Sequence, residues 1–242
     1  LVHANYGLTA PMALAQPRLP VVLSLWGSDL MGRYGPLTKR LAPHCDAVIV
    51  MSDGMADIYG GDCRVIPHGV DLDTFAPMDR DRARETVGWP LDERVVLFPY
   101  PPKREVKNYP RARDIVDRVD DRVDRAVSLR TATDIPHERM PYYLNAADAL
   151  LMTSRREGSP NTVKEAMACN LPVVSTDVGD VTRRLDPVDP ATVSDDDDEL
   201  VAGLAAILRA GDRSDGRAYA TEIGVERMGK RLLTVYDSLA TA

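Results

Sequence analysis

Six short runs along the chain are almost unbroken in apolar and β-branched residues: Pro20–Leu25 (PVVLSL), Ala47–Met51 (AVIVM), Arg64–Pro67 (RVIP), Arg94–Pro99 (RVVLFP), Ala149–Thr153 (ALLMT) and Pro172–Thr176 (PVVST). A strand with one face in water alternates apolar and polar residues, whereas these runs leave no polar face. They suit strands covered on both sides, as in a parallel sheet. Between them lie stretches with helical patterning: 36–42, 53–59, 110–119, 141–147, 161–168 and 200–209. Strand and helix alternate throughout, which predicts an α/β architecture. The chain opens inside a further strand-like run, without Met, and so reads as a fragment lacking its N-terminal part.

With 242 residues, 44% of them hydrophobic, the chain holds one large domain or a domain with a piece of another. A boundary falls within residues 74–93, where Phe75-Ala76-Pro77 closes one unit, a charged helix follows over Arg80–Val87, and Trp89-Pro90 leads into a new strand. Residues 186–198 read as a loop rich in Asp and Pro, and Asp195–Asp198 as the acidic start of a helix, where carboxylates complement the helix dipole. No run approaches the ~18 apolar residues of a membrane span. Leu1–Gly7 lacks the basic and apolar regions of a signal peptide. The net charge of −7 argues against a nucleic-acid partner. Cys45, Cys63 and Cys169 form no C-x-x-C pair, so no zinc site is expected, and an odd count without a secretion signal fits a reducing cytoplasm.

The chemistry concentrates in residues 155–168, RREGSPNTVKEAMA, which follow a buried strand and open a helix. A helix start leaves backbone N–H groups unpaired, here those of Ser159, Asn161 and Thr162, and these donors with the dipole form an anion site suited to a diphosphate. Pro160 suits a first turn, and Gly158 permits a close approach of ligand to backbone. Glu165 lies about 6 Å into the helix at 1.5 Å per residue, and Glu157 precedes it on the loop. Two carboxylates flanking a diphosphate suit the hydroxyls at both ends of a nucleotide-sugar, because carboxylates accept charge-assisted hydrogen bonds.

This segment, continued by Cys169–Thr176 (CNLPVVST), resembles the E-x7-E signature of glycosyltransferase family 4, with Asn170 where Gly is usual; Asn tolerates the left-handed conformation such a turn needs. The resemblance implies a GT-B type α/β fold of two Rossmann-like parallel-sheet domains, the first incomplete. Residues 1–75 would be the rest of the acceptor-side domain, 76–215 the nucleotide-sugar domain, and 216–242 a helical segment crossing back. It implies that Glu157 contacts the transferred sugar and Glu165 the ribose, with Gly158, Ser159, Pro160, Asn161 and Thr162 around the donor. Lys107 matches the family's diphosphate-binding Lys, and Arg104 stands near its Arg, at a shorter spacing than usual. Cations there would stabilise the charge of a departing nucleoside diphosphate. His137 falls where the family holds the nucleobase. His3, Asn5, Gly27 and Asp29, in VHANYG and WGSD, resemble acceptor-side segments, with Asn5 and Trp26 where His is common. Asp71-x-Asp73 matches a domain connector rather than a metal site, and neither metal nor cofactor is expected.

The resulting expectation is a retaining hexosyltransferase with a nucleotide-sugar donor and a glycan, lipid-linked or small-molecule acceptor. It would be cytoplasmic, with peripheral contact at the inner membrane surface as an option. Two alternatives stand beside it: a non-catalytic nucleotide-sugar-binding remnant or partner subunit, and a GT-B sugar-nucleotide epimerase, which the paired glutamates disfavour.

Overall fold

The computed structural model describes residues 1–240. The chain forms two compact units. The first comprises Leu1–Gly69, the short segment Glu157–Ser159 and the C-terminal segment from Val225; the second comprises Val70–Arg156 and Pro160–Gly224.

The first unit contains β1 (Val2–Ala4), α1 (Ala10–Leu14), β2 (Val21–Ser24), α2 (Gly27–Leu30), α3 (Gly35–Leu41), β3 (Ala47–Val50), α4 (Asp53–Tyr59) and β4 (Arg64–Val65). The second contains α5 (Arg80–Val87), β5 (Arg94–Phe98), α6 (Tyr109–Asp120), β6 (Val127–Thr131), α7 (Met140–Ala146), β7 (Ala149–Met152), α8 (Asn161–Ala168), β8 (Val173–Ser175), α9 (Val181–Leu185), β9 (Ala191–Val193), α10 (Asp197–Ala210) and α11 (Gly216–Ala220). The last helix, α12 (Val225–Ala240), belongs to the first unit, where Met228, Leu232, Val235, Tyr236 and Leu239 pack on the core.

Both sheets are parallel throughout, as the doubly apolar runs require. The first has the order β1-β2-β3-β4, with Val22, Leu23, Ile49 and Val50 at its core. The second has the order β6-β5-β7-β8-β9, with Val95–Phe98 and Ala149–Met152 inaccessible to solvent. In the second sheet the chain moves from β5 outward to β6, then returns to the other side of β5 to lay down β7. The loops leaving β5 and β7 therefore diverge. A crevice outside the carboxyl ends of two such strands is where open α/β sheets bind ligands.

Two strands depart from the sequence expectation. The Asp- and Pro-rich stretch 186–198 is not all loop: Ala191–Val193 forms β9, the edge strand beside β8. It is only half buried, so it lacks the apolar run that marks a covered strand. The edge strand β6, VSLRT, is half buried along its whole length and lies in a stretch crowded with Arg and Asp. The acidic run does start a helix: Asp196 caps α10, accepting from the N–H groups of Asp198 and Glu199.

Candidate active site

In the second unit the two diverging loops are tied together. The Arg155 N–H donates to the Val106 carbonyl at 2.9 Å, and the Thr153 hydroxyl lies 3.2 Å and 3.0 Å from the carbonyls of Lys107 and Asn108. This fixes Lys107 beside the crevice. Its side chain is buried, with Nζ 3.7 Å from the centre of the Tyr100 ring, a cation–π contact that holds the ammonium at the end of β5. Arg104, three residues earlier, is exposed in the loop.

Helix α8 begins at Asn161, with Pro160 at the N-cap position rather than inside the first turn, and no side chain caps it. The Asn161 side chain instead accepts from Lys164 Nζ at 3.1 Å. The backbone donors of the first turn, at Asn161 and Thr162, thus meet no capping side chain, the condition for anion binding at a helix start. Glu165 is buried one turn along, and its Oε1 lies 3.0 Å from Nε2 of His137. Burial raises the Glu165 carboxyl above its ordinary pKa, and the His137 bond opposes that shift. The His137 ring rests on Phe75, centroid to centroid 5.3 Å. After α8, Asn170 adopts φ 54°, the left-handed turn expected of it. Its side-chain oxygen and its carbonyl accept from the N–H groups of Arg217 and Ser214, which secures α11 against the helix end.

Lys164 is 1% exposed within α8, near the Asp180–Arg184 ion pair (2.9 Å), and burial lowers its pKa to about 8. The segment Glu157–Ser159 groups with the first unit. There a Cβ on Gly158 would fall 2.6 Å from Met55 Sδ and 3.5 Å from Gly27 Cα, so a side chain at that position would force Met55 to shift.

The first unit has its own cavity of about 260 Å³ at the carboxyl ends of β1–β4. His3 and Asn5 line it; Gly27 and Asp29 do not. Asp29, expected on the acceptor side, is fully buried and serves the backbone, with its two oxygens accepting the N–H groups of Gly7 and Trp26 at 2.6 Å each. These donors lie in the turns after β1 and β2, and satisfying both fixes the carboxylate in that task. His3 bridges Tyr236 Oη (2.6 Å) and Ser24 Oγ (2.8 Å), and burial lowers its pKa. Trp26 and His68 add paired rings 5.3 Å apart. His68 could have been found from its position just after the apolar run Arg64–Pro67; Tyr236 carries no such signal. The Asp71 carboxylate closes a tight turn, accepting from Asp73 and Thr74.

Residues 107–210 match the family model described as glycosyl transferases group 1. That stretch is similar to group 1 glycosyltransferases, and the two parallel-sheet units have a GT-B type fold. It is 29% identical over 226 residues to the D-inositol 3-phosphate glycosyltransferase of Mycobacterium tuberculosis, covering 74% of this chain and 47% of the relative. It is 27% identical over 212 residues to TuaC of Bacillus subtilis, a glycosyltransferase named for teichuronic acid biosynthesis, covering 75% of this chain and 54% of the relative. The chain thus spans about half the length of the curated relatives it matches. Among solved structures, Anabaena HepE in complex with UDP aligns with a TM-score of 0.77 at 17% identity, covering 98% of this chain and 78% of that one. Sucrose-phosphate synthase from Thermosynechococcus elongatus aligns with a TM-score of 0.73 at 19% identity, covering 99% and 73%.

Proposed function

We propose that the protein is, or is part of, a retaining glycosyltransferase of family 4 that moves a hexose from a nucleoside-diphosphate sugar to a glycan, lipid-linked or small-molecule acceptor. The observation that carries this reading is the uncapped start of α8 followed one turn later by buried Glu165 with His137 on its carboxylate. The helix start takes the diphosphate and Glu165 the ribose hydroxyls. Lys107 and Arg104 offset the charge that grows on the leaving phosphate oxygen. Glu157 meets the transferred sugar, and Ser159, Gly158 and Pro160 shape the loop between the two glutamates.

On this reading the acceptor hydroxyl attacks the anomeric carbon on the face the diphosphate leaves. The C1–O bond to phosphate breaks, a C1–O bond to the acceptor forms, and the departing phosphate oxygen takes the acceptor proton. The anomeric configuration is kept without a protein nucleophile, and fixed cations with the helix start supply the charge stabilisation without a metal. The cavity holding His3 and Asn5 is assigned to the acceptor. HepE has been solved with UDP and with UDP-glucose, which makes UDP the first nucleotide to try. The same reading places the protein in the cytoplasm, reaching lipid-linked acceptors at the inner membrane surface.

Calorimetry with UDP, GDP and ADP, followed by hydrolysis and transfer assays with the matching sugar nucleotides, tests it. Saturable binding of one diphosphate, lost in Glu165→Gln, is the expected result. Binding of none of the three would overturn the reading, and binding without turnover would leave a nucleotide-sugar-binding protein.

A further inference from the structure

One guanidinium in the second unit reaches backbone carbonyls on two separate segments. Arg217, in α11, donates through Nη1 to the Phe75 carbonyl at 2.7 Å and to the Ala168 carbonyl at 2.9 Å. Its Nη2 donates to the Leu72 carbonyl at 2.9 Å. Ala168 is the last residue of α8, the helix that carries Glu165. Phe75 is the residue on whose ring His137 rests. Both sides of the Glu165–His137 bond are therefore tied to a single side chain.

Arg217 is itself held in place. Helix α11 lies so close on α8 that a Cβ on Gly216 would fall 2.9 Å from Met167 Cα. The Arg217 N–H donates to Asn170 Oδ1 at 2.8 Å, just beyond the end of α8. A guanidinium is a planar, rigid fork of donors, so carbonyls bound to it keep fixed mutual positions. The Phe75 segment is closed from its other side by Asn145 of α7, whose Oδ1 accepts the Met78 N–H at 2.8 Å and whose Nδ2 donates to the Ala76 carbonyl at 2.9 Å. Phe75, 2% exposed, is thus a fixed seat. His137 depends on that seat, because its side chain is 70% exposed and stands on the short turn His137–Arg139. A bond of 3.0 Å is lost on a displacement of about half an ångström.

We propose that Arg217 is a positioning residue of the nucleotide site: it holds Phe75 and the end of α8 so that His137 meets Glu165, and thereby sets the affinity for a nucleoside diphosphate. The affinity claim rests on the assignment of Glu165 to the ribose. Arg217 lies outside residues 107–210, the stretch that matches the family model, so the site extends to a helix beyond that match. The fork matters more than the charge. Lysine keeps the charge, but a point-like ammonium cannot fix three carbonyls in one plane.

The test uses the whole chain and reads the pair directly. The side-chain ¹⁵N resonances of His137, assigned by their loss in His137→Phe, should move in Glu165→Gln. Arg217→Met and Arg217→Lys should each move them in the same direction, although Glu165 is intact. UDP calorimetry completes a double-mutant cycle. Each Arg217 variant should weaken UDP binding about three- to fivefold, the equivalent of one net hydrogen bond. In a His137→Phe background the same substitutions should change it less than about twofold. Circular dichroism and melting temperature identify the folded variants, and Arg217→Lys carries the test if Arg217→Met does not fold. Unmoved His137 resonances in a folded variant overturn the proposal. So does an Arg217 effect on affinity of equal size with and without His137, which would make the residue a general support of the fold. A wild type that binds none of UDP, GDP and ADP while the resonances move as expected overturns the nucleotide reading and the affinity claim with it, but keeps Arg217 as the group that places His137 on Glu165.

Discussion

His137 Nε2 sits 3.0 Å from Glu165 Oε1, joining a side chain that is 70% exposed to one that is 11% exposed. The exposed partner positions the buried one. Burial pushes the Glu165 carboxyl toward its neutral form, and the histidine bond pulls it back; Lys164 also favours the charged form, and Cys169 is a further titratable neighbour. Replacing His137 by Phe keeps a ring on Phe75 but deletes the hydrogen bond. Net bonds of this kind contribute about 1 kcal/mol, so nucleoside diphosphate affinity should fall roughly fivefold at neutral pH. Without the bond the Glu165 pKa rises further, so the loss of binding on acidification should begin at a higher pH than in the wild type. Calorimetry across a pH series reads both effects. A variant with wild-type affinity and pH dependence would remove His137 from the site.

Lys107→Met retains much of the buried stem beside Tyr100 and deletes the charge. Hydrogen bonds to charged groups contribute about 1.5–3 kcal/mol, so donor affinity and kcat/KM should drop on the order of 10- to 100-fold. The melting temperature should hold, because the ammonium is costly to bury. Unchanged donor kinetics would show that the contact with Tyr100 is purely structural.

The two glutamates should separate kinetically. The ribose is remote from the reacting bond, and a group that binds it equally in ground and transition states alters KM alone. Glu157, beside the anomeric carbon on this reading, can act selectively in the transition state. Glu165→Gln is therefore expected to raise donor KM and to weaken binding of the free nucleoside diphosphate. Glu157→Gln should lower kcat and leave nucleotide affinity nearly intact, since the free nucleotide carries no hexose. The reverse pattern would invert the orientation of the donor.

What could be read from the sequence was what depends on neighbours along the chain. Val95–Phe98 and Ala149–Met152 were visible as strands because both their faces are covered, which makes the run continuous. β6 and β9 were not, since half-buried edge strands have mixed residues. The left-handed turn at Asn170 was legible from the residue's own conformational range. Pairings across the fold were not: His137 meets Glu165 across 28 positions, and His3 meets Tyr236 across 233. Asp29 shows a local role that the motif did not reveal. A motif match suggested a cleft residue, where the local backbone needed an acceptor.

Asp148 illustrates a buried network with no sequence signature. It sits at the start of β7 and accepts the Val95 N–H at 2.6 Å. Around it lie Arg84 (2.6 Å), Arg80 (2.7 Å) and Arg94 (3.4 Å). Arg84 is 1% exposed and also donates to the carbonyls of Ala146, at the end of α7, and of Pro90, Leu91 and Glu93 in the α5–β5 connection. Asp148→Asn leaves that guanidinium buried without its counter-ion. Breaking such a pair costs about 3–5 kcal/mol, which for a chain of this size lowers the melting temperature on the order of 10 °C. Urea unfolding with a midpoint shift equivalent to less than about 1 kcal/mol would show the arginines to be self-sufficient through their carbonyl contacts.

Lys164 supplies a pH signature of opposite sign to that of the buried thiols and phenols. Its folded pKa is lowered to about 8 from 10.5, chiefly by burial, with Asp180 opposing and Arg184 reinforcing the shift. The unfolded chain therefore holds a proton on this lysine that the folded chain has released between about pH 8 and 10.5. Stability rises with pH wherever the unfolded state binds more protons. Lys164 thus weakens the fold below pH 8, and this cost is progressively relieved as the pH climbs toward 10.5. Cys45, Cys63, Tyr59 and Tyr236 are raised by burial and Cys169 is raised to about 12, so each of these weakens the folded state as alkali ionises the unfolded chain. The melting curve of the wild type alone mixes the two signs. Lys164→Met cancels only the lysine contribution and leaves the Asp180–Arg184 pair in place. At pH 7 the variant should be more stable than the wild type by up to a few kcal/mol at about 1.4 kcal/mol per pKa unit. That advantage should shrink steadily from pH 8 to pH 10.5. Melting temperatures of the two proteins, measured in parallel over that range, give the difference directly. A difference independent of pH, or one that grows in alkali, would mean that Lys164 stays protonated in the fold, held by Asp180.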